Sequence, residues 1–252
     1  MAAEPGFVQF SIGRVIGDSF GVFGRNFVSF SILALLLGLI NLLIALFYFD
    51  PAQIEATGQF DATGLGISVL IGMLVNSLTQ AAIIYGTFQD LRGQKAGIGD
   101  CISRGLASVI PVIVGSLLLW LGVSIAAIFF VIPGIILTLM WWVYVPAIVV
   151  EGKGIIESFG RSRALTKGRR WHILGLLILV LVLSLVVNFL VGLVVGVLFI
   201  GGSDVATPAA ILQYVAMSLV TAFGAILVAV GYYYLRAEKE GVDVNEIAQV
   251  FD

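Results

Sequence analysis

The sequence predicts an all-α integral membrane protein with six transmembrane helices. Three observations predict it. The chain is 60% hydrophobic and only 11% charged, against roughly 25% charged in a soluble domain. Between Arg104 and Glu151 there is no charged residue over 46 positions; one crossing needs about 20 apolar residues, so this run suits two. All 13 Lys and Arg residues fall into four segments of the chain, which fixes how the spans thread. The apolar runs are continuous, and this excludes a β-barrel, whose strands alternate over about ten residues.

Each element follows from the order of residues. Phe20, Phe23, Phe27 and Phe30 recur at helical period, with Arg14, Asp18 and Arg25 off the stripe. They predict an amphipathic helix over 7–25 lying in the membrane interface. The first span covers 27–49 and stops at Asp50-Pro51, before an acidic loop. The second covers 64–89. A polar connection follows, with a short surface helix over 96–105. Spans three and four cover 106–131 and 134–150, with Pro133 and Gly134 as the hinge of a tight hairpin. A basic surface helix covers 154–167, stopped by Gly168. The fifth span covers 171–200, and a turn at Gly201–Asp204 leads to Thr207-Pro208, which opens the sixth span over 208–234. A charged tail covers 236–252, with Val242, Val244, Ile247, Val250 and Phe251 as apolar docking residues. The whole chain, 1–252, forms one membrane domain.

Orientation follows from the basic residues. Two lie in the N-terminal segment, three in 90–104, six in 151–170 and two in the tail. The other three connections have none. The positive-inside rule then puts both termini in the cytoplasm. A weak internal repeat accompanies this threading. Ile16–Gly21, Ile98–Ser103 and Ile155–Gly160 share a pattern, and each precedes a pair of spans. The chain reads as three units of surface helix plus helical hairpin.

Two groups of residues are candidates for function. Lys153, Arg161, Arg163, Lys167, Arg169 and Arg170, followed by Trp171, form the most basic stretch. Near an anionic leaflet each such charge contributes about 1 kcal/mol, and arginine suits phosphate. They are candidates for anionic lipid headgroups, although topology alone also requires basic residues there. Within the spans, Asn41, Ser68, Asn76, Gln80, Ser184 and Asn188 form a polar spine among small residues. Packing is its bland explanation, since small residues let helices approach and amides bridge them. A binding cleft for an uncharged or lipid ligand is the sharper one. Asn41 and Asn76 fall at similar depth and are expected to lie together.

Other classes of function are disfavoured. No span carries Asp, Glu, Lys or Arg away from its ends, where a proton-coupled pump usually keeps one. Cys101 is the single cysteine and His172 the single histidine, too few for a structural zinc site. No nucleotide fingerprint, Gly-x-Ser-x-Gly frame or base-reading motif is present. Neither cofactor, metal nor nucleic-acid partner is expected, and no catalytic residue emerges.

Ile132-Pro133-Gly134, Val145-Pro146, Glu151-Gly152, Arg161-Ser162, Leu165–Gly168 and Trp171, with Tyr234–Gly241, resemble the membrane domain of some bacterial glycerophosphoryl diester phosphodiesterases. They also resemble the related YciC-like inner-membrane proteins. The resemblance covers 98–240. It implies a six-helix protein of the bacterial inner membrane and, since the phosphodiesterase domain has no counterpart here, no enzymatic activity. The expectation is a non-enzymatic scaffold or accessory subunit engaging membrane lipids, other membrane proteins or further copies of the chain at its cytoplasmic face. The alternative is a transporter or channel for lipid or a small uncharged solute along the Asn/Gln/Gly path.

Overall fold

The computed structural model describes residues 10–48, 62–200 and 206–241. Among them the regular structure is helical, with no strand. The helices are α1 (Ile12–Arg25), α2 (Phe27–Tyr48), α3 (Ala62–Leu91), α4 (Ile98–Phe129), α5 (Val131–Met140), α6 (Tyr144–Glu151), α7 (Ile155–Thr166), α8 (Arg170–Ile200) and α9 (Ala206–Glu240). Six segments are long and apolar enough to cross a membrane: α2, α3, α4, α5 with α6, α8 and α9. The acidic loop after Asp50, the turn at Gly201–Asp204 and the apolar tail residues from Val242 onward lie outside the described residues.

α9 is the packing centre. It lies against α1, α2, α3 and α8, and its charged end reaches α6 and α7. Its small residues make this possible: Ala222, Ala225 and Ala229 are fully or almost fully buried. At Gly231 a Cβ would fall 2.5 Å from the Trp142 ring, so only glycine lets that indole seat against the helix. The phenylalanine stripe runs from α1 into α2 and is only partly covered by protein: Phe20 and Phe27 stay exposed while Phe30 is buried. Phe20 packs on Phe223 with centroids 4.6 Å apart, and Phe23 meets both Phe27 and Phe223. Phe30 is buried where Gly86 leaves room for its ring.

Three features differ from the sequence reading. The surface helix expected over 96–105 is not separate: it runs unbroken into the third span as the 32-residue α4. The hairpin turns at Phe130 and not at Pro133-Gly134. Phe130 is extended (φ −160°, ψ 143°) and serves as the C-cap of α4 and the N-cap of α5. Pro133 then sits in the first turn of α5, where backbone N–H groups have no helical acceptor and proline sacrifices none. Gly134 packs against α4 instead, with Ala127 Cβ 3.4 Å from where its own Cβ would be. Finally, the helix of the sixth span continues to Glu240, so the tail begins later than 236.

The fourth span is broken at Trp141–Val143, between α5 and α6. Inside a bilayer such a break is tolerated only where protein satisfies the freed backbone groups. Here α7 does so. Ser162 Oγ donates to Met140 C=O at 2.9 Å and accepts the Val143 N–H at 3.2 Å. Thr166 Oγ1 also reaches Met140 C=O, at 3.2 Å. Ser158, Phe159, Ser162, Leu165 and Thr166 therefore form a buried face. α7 is a surface helix on one side and a plug on the other.

The three repeat units align in burial as well as in sequence. Ser19, Cys101 and Ser158 occupy the same repeat position, and each is at most 2% exposed. A small side chain there lets each leading helix press against the bundle.

Candidate functional site

The charged segments meet at one end of the bundle, and Glu151 is the hub. Its side chain is only 8% exposed. Arg161 Nε donates to both carboxylate oxygens, at 3.0 and 3.1 Å, and Arg161 Nη2 to Oε1 at 2.8 Å. Tyr232 O–H also donates to Glu151. Lys153 Nζ lies 3.7 Å away and Arg236 Nη1 3.9 Å. Arg161 further pairs with Glu240, which Arg236 Nε binds at 2.7 Å. Burial works against the Arg161 charge, but hydrogen bonds to Glu151 and Glu240 outweigh it and hold the guanidinium above its usual pKa. A carboxylate this enclosed must be matched by partners, because an unpaired buried charge is strongly unfavourable.

A second set of contacts ties the chain's two ends. Arg169 pairs with Glu238 at 2.7 Å, and Glu238 accepts the Phe10 N–H at 2.7 Å. Tyr234 O–H donates to Asp18. Arg25 Nη2 pairs with Asp90 at 2.6 Å, and Asn26 Nδ2 donates to the same carboxylate.

The six basic candidates thus divide. Arg161 and Arg169 face inward onto carboxylates, and Lys153 lies beside Glu151. Arg163 and Lys167 are exposed and make no ion pair among the described residues. Arg170 is partly exposed, with its Nε buried and without a partner. Trp171 is 83% exposed and begins a line along α8. Leu174, Leu177, Ile178 and Leu181 continue it at helical spacing and form one wall of an apolar groove of about 340 Å³. The facing wall comes from the hairpin of α4 and α5, through Ala127, Gly134, Ile135 and Leu139. Arg170 and Trp171 thus open the helix whose next turns line the groove, while the exposed cations Arg163 and Lys167 belong to the end of α7 just before it.

The polar spine also divides. Ser68 and Ser184 return their hydroxyls to the carbonyls of Gly64 and Val180, four residues back. Asn188 donates to Ser184 C=O and accepts from Gln213 at 2.9 Å, which bridges α8 to α9. Gln80 is half-buried. Of these, only the Asn188–Gln213 bond joins two helices. Asn41 and Asn76, by contrast, line one cavity of about 170 Å³ between α2, α3 and α9, with Thr79, Tyr214, Ser218 and Thr221. The sequence reading missed the α9 contribution, although Tyr214, Ser218 and Thr221 carry the same helical period. His172 packs edge-on against Phe10 at 6.2 Å, and its Nδ1 is buried with no hydrogen-bond partner among the described residues.

A family model matches residues 95–238, more than half of the chain. The chain belongs to that family, a domain of unknown function, DUF7847. The match starts just before α4 and ends at Glu238, so it includes the broken span, the α7 plug and the Glu151 hub. No curated protein and no solved structure matches the chain. The resemblance over 98–240 is thus to a DUF7847 domain of nearly the same bounds, and no link to phosphodiesterase membrane domains or YciC-like proteins is shown.

Proposed function

We propose that this DUF7847 protein is a non-enzymatic membrane scaffold of the bacterial inner membrane. In this reading both termini face the cytoplasm and the protein binds anionic lipid along α8. The observation that carries it is the succession, in the chain, of exposed Lys167, partly exposed Arg170 and exposed Trp171 just before the residues of α8 that line the apolar groove. A headgroup phosphate would meet the exposed cations, the indole would sit at the interface, and an acyl chain would lie between α8 and the α4–α5 hairpin. Sidedness rests on the positive-inside rule: the basic segments share the end where the ion pairs join. Partner proteins would meet the same cytoplasmic face.

The inward arginines supply a control. Replacing Arg163, Lys167 and Trp171 together with Gln, Gln and Ala should abolish the preference for anionic over zwitterionic liposomes and leave the fold intact. Replacing Arg161 and Arg169 with Gln should destabilise the protein instead. Liposome flotation together with thermal unfolding separates the two effects. Retained anionic preference in the triple variant overturns the headgroup site.

Transport is the second reading, favoured by the polar cavity at Asn76. Against a continuous path, the bundle toward the charged end is filled. Ala81, Ala82, Ile83, Ile84, Ala222 and Ile226 are all fully buried, and Asn188 is committed to Gln213.

A further inference from the structure

The same cavity supports a reading that needs no pathway. Asn41 and Asn76 each lie about 20 Å along their helices from the charged end at 1.5 Å per residue, well past the middle of the bilayer. Neither carboxamide forms a hydrogen bond among the described residues; both line the first space and both are exposed. Nothing in hydrocarbon can satisfy an amide. Water or a ligand in the space must therefore supply hydrogen-bonding atoms.

Its walls define what those atoms belong to. No charged residue lines the space, so the occupant is neutral. A carboxamide both donates and accepts, and hydroxyls complement it in both respects. Tyr214 O–H is already directed at Leu35 C=O and Thr79 at Val75 C=O, which leaves the two asparagines, with the hydroxyls of Ser218 and Thr221, as the recognition groups. On the other side of α3 a second space of about 400 Å³ shares Asn76 and adds Ser77, Ser116 and Trp120. The indole offers an apolar plane beside the amide. Only the first space, of about 170 Å³, is lined by both amides, which limits it to a small group; the second falls by itself in the roughly 300–1,000 Å³ range of small-molecule sites. The filled core beneath them closes the approach from the charged end.

We infer that Asn41 and Asn76 form a blind binding site for a small neutral polyhydroxyl group, entered from the bilayer or from the face opposite the charged end. The group is either a free polyol or sugar, or the glycerol or sugar headgroup of a neutral lipid. This is separate from the anionic-lipid site on α8 and stands if that site fails.

The test uses the full chain in phosphatidylcholine nanodiscs, with N41L, N76L and the double variant. Glycerol, inositol and glucose are added from solution in one arm. In the other, diacylglycerol or glucosyl-diacylglycerol is built into the disc. Ligand-dependent thermal shift and equilibrium binding are measured in both. At least one arm should give saturable binding, weakened tenfold or more by either substitution and lost in the double variant. The arm that responds identifies the source. The leucine variants remove unpaired amides, so their ligand-free melting temperature should not fall. Absence of binding in both arms overturns the inference, as does binding that survives in the double variant. Entry is tested separately by placing a cysteine at Asn76 with Cys101 changed to Ser. Cys101 is the single cysteine of the sequence, so labelling of this variant reports position 76 alone. Labelling by a membrane-impermeant maleimide added only to the charged-end side would overturn the blind geometry. Labelling from the opposite side alone, or only by a membrane-permeant reagent, supports it.

Discussion

α8 and α9 are consecutive spans of similar length, yet they occupy opposite environments. In α9, 50% of the spanning segment is buried; in α8, 6% is, although α8 is the more apolar of the two. In water the more apolar helix would be the more buried. In a bilayer that driving force is absent, and close approach of backbones decides. α9 has Ala222, Ala225, Ala229 and Gly231 on buried faces. α8 instead presents Leu181, Leu185, Phe189 and Leu193 to the bilayer. It is anchored near its charged end, where Ile173 and Leu176 are fully buried and Gly175 lets α1 approach closely. Size, and not hydropathy, sorts these helices.

The contrast can be broken at several points. E151A strikes the α9 side hardest, because it leaves Arg161, Arg236 and the Tyr232 hydroxyl without their shared carboxylate. Breaking a buried pair in this way costs about 3–5 kcal/mol, and thermal unfolding in detergent followed by circular dichroism should show a large drop. L176A tests the anchored end of α8. Deleting a fully buried leucine costs about 2–5 kcal/mol, and a loss there with a normal α9 would confirm that α8 is held from one end. G231A and G192A compare the same substitution in neighbouring spans. At Gly231 the new methyl collides with Trp142, an overpacking cost of about 1–3 kcal/mol. At Gly192 nothing lies within 4 Å, and stability should change by less than about 0.5 kcal/mol. Equal losses at both glycines would refute the size argument. L185A, on the lipid-facing side of α8, should be nearly silent in the same melting experiment.

Much of this architecture is legible in the sequence. Uncharged runs locate the spans because hydrocarbon excludes charge, and the Asn41–Asn76 meeting follows from rise per residue. What escapes depends on contacts between distant positions. Nothing near Glu151 shows that Tyr232, Arg236 and Glu240 will enclose it, so Arg161 reads as a headgroup ligand when it is an internal counter-ion. Nothing near Trp141-Trp142 shows that the span breaks there, because the groups that permit the break, Ser162 and Thr166, belong to another helix. The turn at Phe130 is missed for a local reason. Proline and glycine together look like a hinge, whereas proline is equally at home in a first helical turn.

The contacts tying Phe10 and Asp18 to the last helix bear on how the chain is made. Phe10, Asp18, Glu151, Arg161 and Arg169 each have a partner in 232–240, at the end of the sixth span and therefore made after the other five. Five spans can insert earlier, each stable alone in lipid, but the bundle cannot lock until the sixth arrives. During synthesis the buried carboxylate of Glu151 has only its near neighbours Lys153 and Arg161 for company. A nascent chain arrested before Tyr232 would be a membrane-inserted assembly that lacks these latching contacts.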